Sequence, residues 1–436
     1  MVMGMCSCSE QGSQVWLDDT TSSVQTERQT SPAPEQPANN AAASTEQFKF
    51  VSNIDSEPLD KDFVNGLNSF SVELFKTSVK DDLSNGKNTL VSPESVAFAL
   101  GMTQNGADKN TLKQMQDVLC KGVSQDTFNK NMNRIMSRVE KFNNDKSKLS
   151  IADSVWVKDR NDITPSEQFT KSCKELYNAE LFKGAFNDET VKQVNSWVND
   201  KTDGMIPSVI DSFKSNDLMY LINCVAFDAQ WQKQYEDDQI KENEKFTNAA
   251  GTEVSCTMLS STENTYVSND KAKGFVKNYE GGKYAFMAVL PNEDISISDY
   301  VSSMTADEFA KLYSSRTGTE VYTKLPQFRY DYGTELSKTL SQMGMPEAFT
   351  DAADFSKMFE NTEAAINRVI HKTHIELDAN GTKAAAATAV IMREKAVAVR
   401  EEPKSVILDR PFVYAIMDTQ TGLPVFMGTV CDPTAE

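Results

Sequence analysis

From Gly381 to Ala389 the chain reads G-T-K-A-A-A-A-T-A, and no other segment limits the fold so sharply. The run is too uniform for ordinary core packing and too apolar for a linker. Read as extended chain, Thr382, Ala384, Ala386, Thr388, Val390 and Met392 share one face, all small or apolar, while Lys383 and Arg393 stand on the other. Strands usually carry larger β-branched or aromatic side chains, so consecutive small residues suit a segment that must slide between neighbours. Ala is also the best helix former, and composition alone leaves a short helix open.

A chain of 436 residues could hold two or three domains, yet no Gly/Pro-rich boundary divides residues 51–436, which are expected to form one large domain with ample core. With 63 acidic against 44 basic residues the net charge is −19, which disfavours nucleic acid or an anionic membrane as partner and would steer a cationic protein toward the surface.

The N-terminal part differs in kind. Residues 9–50 are rich in Ser, Thr, Gln, Pro and Ala, cannot offset their ordering entropy, and are expected to form a disordered linker. Residues 1–8, M-V-M-G-M-C-S-C, are too short for a signal peptide but resemble the end of one, a remnant of a bacterial lipoprotein export signal. Cys8, preceded by the small Ser7, is the better candidate for lipidation and Cys6 the poorer one. No stretch is long enough to span a bilayer. An exported bacterial lipoprotein, extracellular or at the cell surface, is therefore expected.

Cys120, Cys173, Cys224, Cys256 and Cys431 are too scattered for a disulfide framework and read as small buried hydrophobes. The C-x-C at the N-terminus lacks the partners of a structural zinc site, so neither metal nor cofactor is expected. The single N-x-S/T sequon, Asn380-Gly381-Thr382, sits where a glycan would obstruct the small-residue run, which argues against a glycosylating secretory pathway. Catalysis is not expected either. A hydrolase needs a nucleophile, a base and an orienting group, and the two histidines, His371 and His374, lie three apart on opposite faces of an extended segment.

The flanks of the alanine run are specific. His371-Lys-Thr-His-Ile-Glu-Leu-Asp-Ala-Asn precedes Gly381, and Val406-Ile-Leu-Asp-Arg-Pro-Phe-Val-Tyr and Leu423-Pro-Val-Phe-Met-Gly-Thr-Val follow it. Asn88-Thr-Leu-Val-Ser-Pro-Glu-Ser with Gly106, Ala107 and Thr111; Asn195, Thr202, Gly204 and Ile206; Asn223 with Trp231; Tyr284-Ala-Phe-Met-Ala-Val-Leu-Pro; and Leu325-Pro-Gln-Phe stand in order along the chain. From about Phe63 to Pro433 the sequence resembles the serpins, the serine-protease-inhibitor superfamily. The resemblance implies an α+β fold with a large mixed central β-sheet, further sheets, eight to nine helices and an exposed reactive-centre loop at about 379–403.

It further implies a suicide-substrate inhibitor, a monomer whose protein partner is a serine endopeptidase held as a covalent acyl complex. The metastable fold would hold the loop outside; once cut, the loop would insert into the central sheet and carry the acyl-enzyme with it. The hinge would be Gly381, Thr382, Lys383, Ala384, Ala385, Ala386, Ala387, Thr388 and Ala389. Ser92, Ser95, Asn223, Trp231 and His371 would form the shutter and breach around the sheet opening. Lys383 and Ala379 stand where the family commonly carries Glu, and Ala379 is expected to loosen a hinge contact. Counting from Gly381 puts the scissile bond at Lys395-Ala396, a trypsin-like site; Val397 and Val399 would suit an elastase-like target, and Arg400 is a second basic option. The alternative is a non-inhibitory serpin-fold binding protein, which would have no need of an insertable hinge.

Overall fold

A computed structural model describes residues 58–160, 163–214, 217–360, 365–382 and 404–435. Cys6 and Cys8, and the hinge and scissile candidates from Lys383 through Arg400, lie outside them.

The described elements run α1 (Lys61–Ser84), β1 (Thr89–Val91), α2 (Pro93–Gln104), α3 (Lys109–Cys120), α4 (Gln125–Phe142), β2 (Ser147–Lys158), α5 (Glu167–Tyr177), β3 (Glu180–Gly184), α6 (Asp188–Lys201) and β4 (Met219–Gln230). Then follow β5 (Ile240–Thr247), β6 (Glu253–Glu263), β7 (Tyr266–Ser268), β8 (Ala272–Asn278), β9 (Tyr284–Pro291), α7 (Ile297–Ser303) and α8 (Ala306–Ser314). The rest are β10 (Val321–Pro326), β11 (Phe328–Glu335), α9 (Ser337–Met343), β12 (Arg368–Leu377), β13 (Gly381–Thr382), β14 (Lys404–Ile407), β15 (Phe412–Asp418) and β16 (Pro424–Val430).

Three sheets result. The central one is mixed, in the order β11-β12-β13-β4-β2-β3; a second runs β1-β16-β15-β9-β8-β7 and a third β14-β10-β6-β5. The architecture is α+β, with nine α-helices among the described residues.

Local sequence explains the elements around the central sheet. α2 starts where Ser92 Oγ accepts from the Ser95 N–H and Pro93 enters the first turn, and its residues are buried from end to end, the polar Glu94, Ser95, Thr103 and Gln104 included. β4 is a near-continuous apolar run, the pattern of a strand covered on both faces. One face packs on the main core with α2, α4 and α5; the other packs on Val194 and Val198 of α6, beside Trp156, Tyr220 and Ile222. Asn195 fastens the chain after α6, accepting from the N–H groups of Val209 (2.8 Å) and Ile210 (3.2 Å) and donating to the Ile210 carbonyl. Thr202 Oγ1 accepts from the Ile206 N–H at 3.0 Å, and Gly204 turns the chain at φ +79°, which a side chain rarely adopts.

Candidate functional site

β4 and β12 run parallel in the central sheet, but pair directly only along their N-terminal halves, Tyr220–Cys224 with Arg368–Lys372. At their C-terminal ends Gly381 and Thr382 stand between them, antiparallel to both. Thr382 faces Leu377 of β12 and Ala229 of β4, and Gly381 faces Gln230. The first two residues of the small-residue run thus already begin a strand between β4 and β12.

Several contacts hold this end. A Cβ on Gly381 would lie 2.1 Å from the Ala229 carbonyl oxygen, so only glycine fits. Thr382 is buried, and its hydroxyl meets the Tyr279 hydroxyl at 2.7 Å. Trp231 donates its backbone N–H to the Asn380 carbonyl (2.8 Å) and its indole N–H to the Asp378 carbonyl (2.9 Å), while its ring stacks on Tyr279 at 4.5 Å. The Tyr235 N–H reaches the Ala379 carbonyl at 3.1 Å. That bond uses the main chain of residue 379, so it does not depend on which side chain stands there.

Beside Trp231, Lys277 is buried and pairs with Glu263 at 2.7 Å, with its ammonium 4.4 Å from the centre of the Tyr235 ring and 5.5 Å from that of Trp231. Burial lowers the Lys277 pKa and Glu263 opposes that shift.

A polar row crosses the sheet where β4 and β12 meet. Asp153 of β2, Asn223 of β4 and His371 of β12 stand side by side. His371 Nε2 accepts the Ser92 N–H at 3.0 Å, so its proton is assigned to Nδ1, which faces Asn223 Oδ1 at 3.2 Å. Asn223 Nδ2 donates to the Ser95 carbonyl (3.0 Å) and to Asp153 Oδ1 (2.8 Å), and the Ser95 hydroxyl donates to Asn223 Oδ1 at 2.7 Å. The Ser92 hydroxyl donates to the Val425 carbonyl at 2.7 Å, linking the row to the second sheet. Burial pushes His371 down to about 4 and Asp153 up to about 7, so the imidazole is neutral at physiological pH, as its two hydrogen bonds require.

His374 stands on the opposite face of β12, with Nδ1 2.6 Å from Asp331 of β11. His371 is fully enclosed and cannot reach a substrate. The five described cysteines are free thiols, all buried.

This arrangement can accept a strand. A chain continuing from Thr382 between β4 and β12 would find ladder partners on both sides, once the five direct pairs and the Asn223–His371 contact are broken. The family resemblance implied a group of Ser92, Ser95, Asn223 and His371 with Trp231 under the hinge; the structure brings the first four together and sets Trp231 against Asp378 and Asn380, just before Gly381. Sequence reading missed Asp153, Tyr279 and the Lys277–Glu263 pair. A lone acid in the apolar stretch Ile151-Ala-Asp-Ser-Val-Trp was the one available signal for Asp153.

Residues 65–433 match the family model described as Serpin (serine protease inhibitor). An uncharacterised serpin-like protein of Thermococcus kodakarensis is 28% identical over 380 residues, covering 86% of this chain and 87% of that protein. Serpin B6 of Pongo abelii is 29% identical, covering 84% and 98%. Among solved structures, the thermophilic serpin tengpin in its native state aligns with TM-score 0.80 at 41% identity, covering 86% of this chain and 95% of that one. The same protein in its latent state gives 0.75 at 37% identity, covering 86% and 99%. A family match of this extent, over a sheet already parted by Gly381 and Thr382, means that this chain belongs to the serpin family.

Proposed function

We propose that this protein is a suicide-substrate inhibitor of serine endopeptidases. The protease serine attacks the carbonyl of the residue before the scissile bond, forming an ester to the new carboxyl end and releasing the new amine. The freed segment then inserts between β4 and β12 and drags the acyl-enzyme with it. Twelve residues from Thr382 to Arg393 span roughly 40 Å at about 3.3 Å each. A dozen backbone hydrogen bonds at about 1 kcal/mol each, with added side-chain burial, supply the driving force.

The observation that carries this reading is the seating of Gly381 and Thr382 between two strands that part above His371. A small, insertable hinge supports it, since a bulky or charged inward residue would stall insertion. The register from Gly381 favours a cut after Lys395 by a trypsin-like target, with Val397 and Val399 as elastase-like sites and Arg400 as a second basic one. The same reading has the protein exported, with Cys8 lipidated and the inhibitor acting as a monomer at the cell surface or beyond it.

Purified protein mixed with trypsin or with an elastase should give a band that survives boiling in detergent, and mass spectrometry of the released peptide should place the cut after Lys395. Release at Val397 or Val399 would move the target class to elastases. Clean cleavage with no adduct to either enzyme would favour a binding protein on the same fold.

A further inference from the structure

The third sheet turns a nearly uncharged face to solvent. β10 pairs in parallel with β14 and antiparallel with β6, so Ser405, Tyr322 and Thr262 stand in one row across it. Residues directly opposite one another share a face of the sheet, and all three are exposed. Two positions along, Ile407, Lys324 and Ser260 form a second row on the same face, each half-buried. The charge on Lys324 is matched by Glu244 of β5 at 2.7 Å.

Tyr322 is 40% exposed, and among the described residues it is the one large apolar side chain left so open. A lone exposed apolar residue is ordinary on a protein surface, so its position decides what it can do. Val321, just before it in β10, lies opposite Lys404, the first described residue after the scissile candidates. Ala396, which follows the favoured cut, precedes Lys404 by eight residues. At no more than about 3.6 Å per residue, that length keeps it within about 30 Å of β14. A compact domain of about 230 residues has a radius of gyration of about 17 Å, hence a width of about 45 Å. A protease of that size, gripping any bond from Lys395 to Arg400, is held no farther from β14 than it is wide.

We propose that the face around Tyr322 is a second contact surface for the serine endopeptidase that cuts the chain, with the Tyr322 ring packed against the rim of the protease cleft. The proposal takes its partner from the inhibitor reading above. A tyrosine ring offers a large contact area with few torsions to order, and its hydroxyl keeps a polar edge. Thr262 and Ser405 beside it bring no charge to desolvate, and the net charge of −19 draws a cationic partner in before contact. Docking here precedes the cut. It therefore sets how fast protease and chain meet productively, and not whether the inserted strand traps the enzyme.

The test times cleavage between Thr382 and Lys404 by mass spectrometry, with trypsin and with an elastase below saturation, on the wild type, Tyr322→Ala and Tyr322→Phe. With at least one enzyme the second-order rate for Tyr322→Ala should fall about tenfold, while Tyr322→Phe stays within about twofold of the wild type. Tm and the share of cuts that end as detergent-stable adduct should be the same in all three. Equal rates for wild type and Tyr322→Ala with both enzymes would overturn the proposal whatever the adduct yield. A slower Tyr322→Ala with no adduct in any form upholds the docking face and removes the inhibitor reading alone; no cleavage by either enzyme removes both. Should Tyr322→Ala lower Tm, Thr262→Arg decides, since it covers the same row from the neighbouring strand, and an unchanged rate in it sinks the idea. Self-association of the uncut protein that Tyr322→Ala abolishes would assign the face to a second copy of the chain and likewise overturn it.

Discussion

His371 Nδ1 lies 3.2 Å from Asn223 Oδ1, and the two residues face each other across the strands that Gly381 and Thr382 part at the far end. This contact must break for a strand to pass between β4 and β12. The Ser92 bond on the other side of the ring requires His371 to be neutral, because Nε2 has to accept the Ser92 N–H.

Acid should therefore weaken the closed sheet. The folded pKa of His371, about 4, lies below its ordinary value, so the folded state binds fewer protons than the unfolded chain. The stability tied to His371 is full above about pH 6.5 and is lost as pH falls toward 4, up to about 3 kcal/mol. Asp153, raised by burial to about 7, acts in the opposite sense, its contribution fading as pH rises from about 4 to 7. In melting curves from pH 4 to 8, His371→Gln should lie below the wild type at pH 7 by about 1–3 kcal/mol, the cost of unmatched buried groups, and should fall less steeply in acid. Identical pH slopes would refute this.

Thr382→Arg should turn an inhibitor into a substrate. The side chain is 2% exposed and its hydroxyl meets Tyr279, so Arg would bury an unpaired cation where the insert begins. The expected result is a lower Tm, by about 2–4 kcal/mol of stability, and cleaved protein in place of a detergent-stable adduct. Unchanged adduct yield would count against the hinge assignment.

Gly381→Ala probes the same place through the backbone. Its Cβ would meet the Ala229 carbonyl oxygen at 2.1 Å and the Gln230 Cα at 2.8 Å, which the paired strands cannot relieve by side-chain movement. Loss of the Gly381–Thr382 pairing should destabilise the protein by about 2–3 kcal/mol and speed proteolysis near Thr382. Proteolysis at the wild-type rate would show that the pairing is dispensable.

The Lys277–Glu263 pair offers a test by double substitution. Glu263→Gln strands a buried ammonium beside Trp231 and Tyr235 and should cost about 3–5 kcal/mol. Lys277→Met together with Glu263→Gln removes the charge as well and should recover most of that loss. Denaturant melts of the two variants measure the difference; additive losses would contradict the pairing argument.

What the sequence determined is local or strictly periodic. The small residues from Gly381 stand out in the sequence because side-chain size and alternation are properties of the chain itself. Ser92 before Pro93 starts α2, and Gly204 turns the chain after α6, because caps and positive φ act within a few residues. The order of motifs from Asn88 to Leu423 was enough to indicate the family, and the resemblance to that family implied that Ser92, Ser95, Asn223 and His371 form one group. Tertiary structure alone decided the partners that come from distant strands. Asp153 reaches Asn223 across 70 positions and Tyr279 reaches Thr382 across 103, while Glu263 matches Lys277 on a neighbouring sheet. No local pattern encodes these contacts, because burial and hydrogen bonding through space choose the partner only after the sheets have packed.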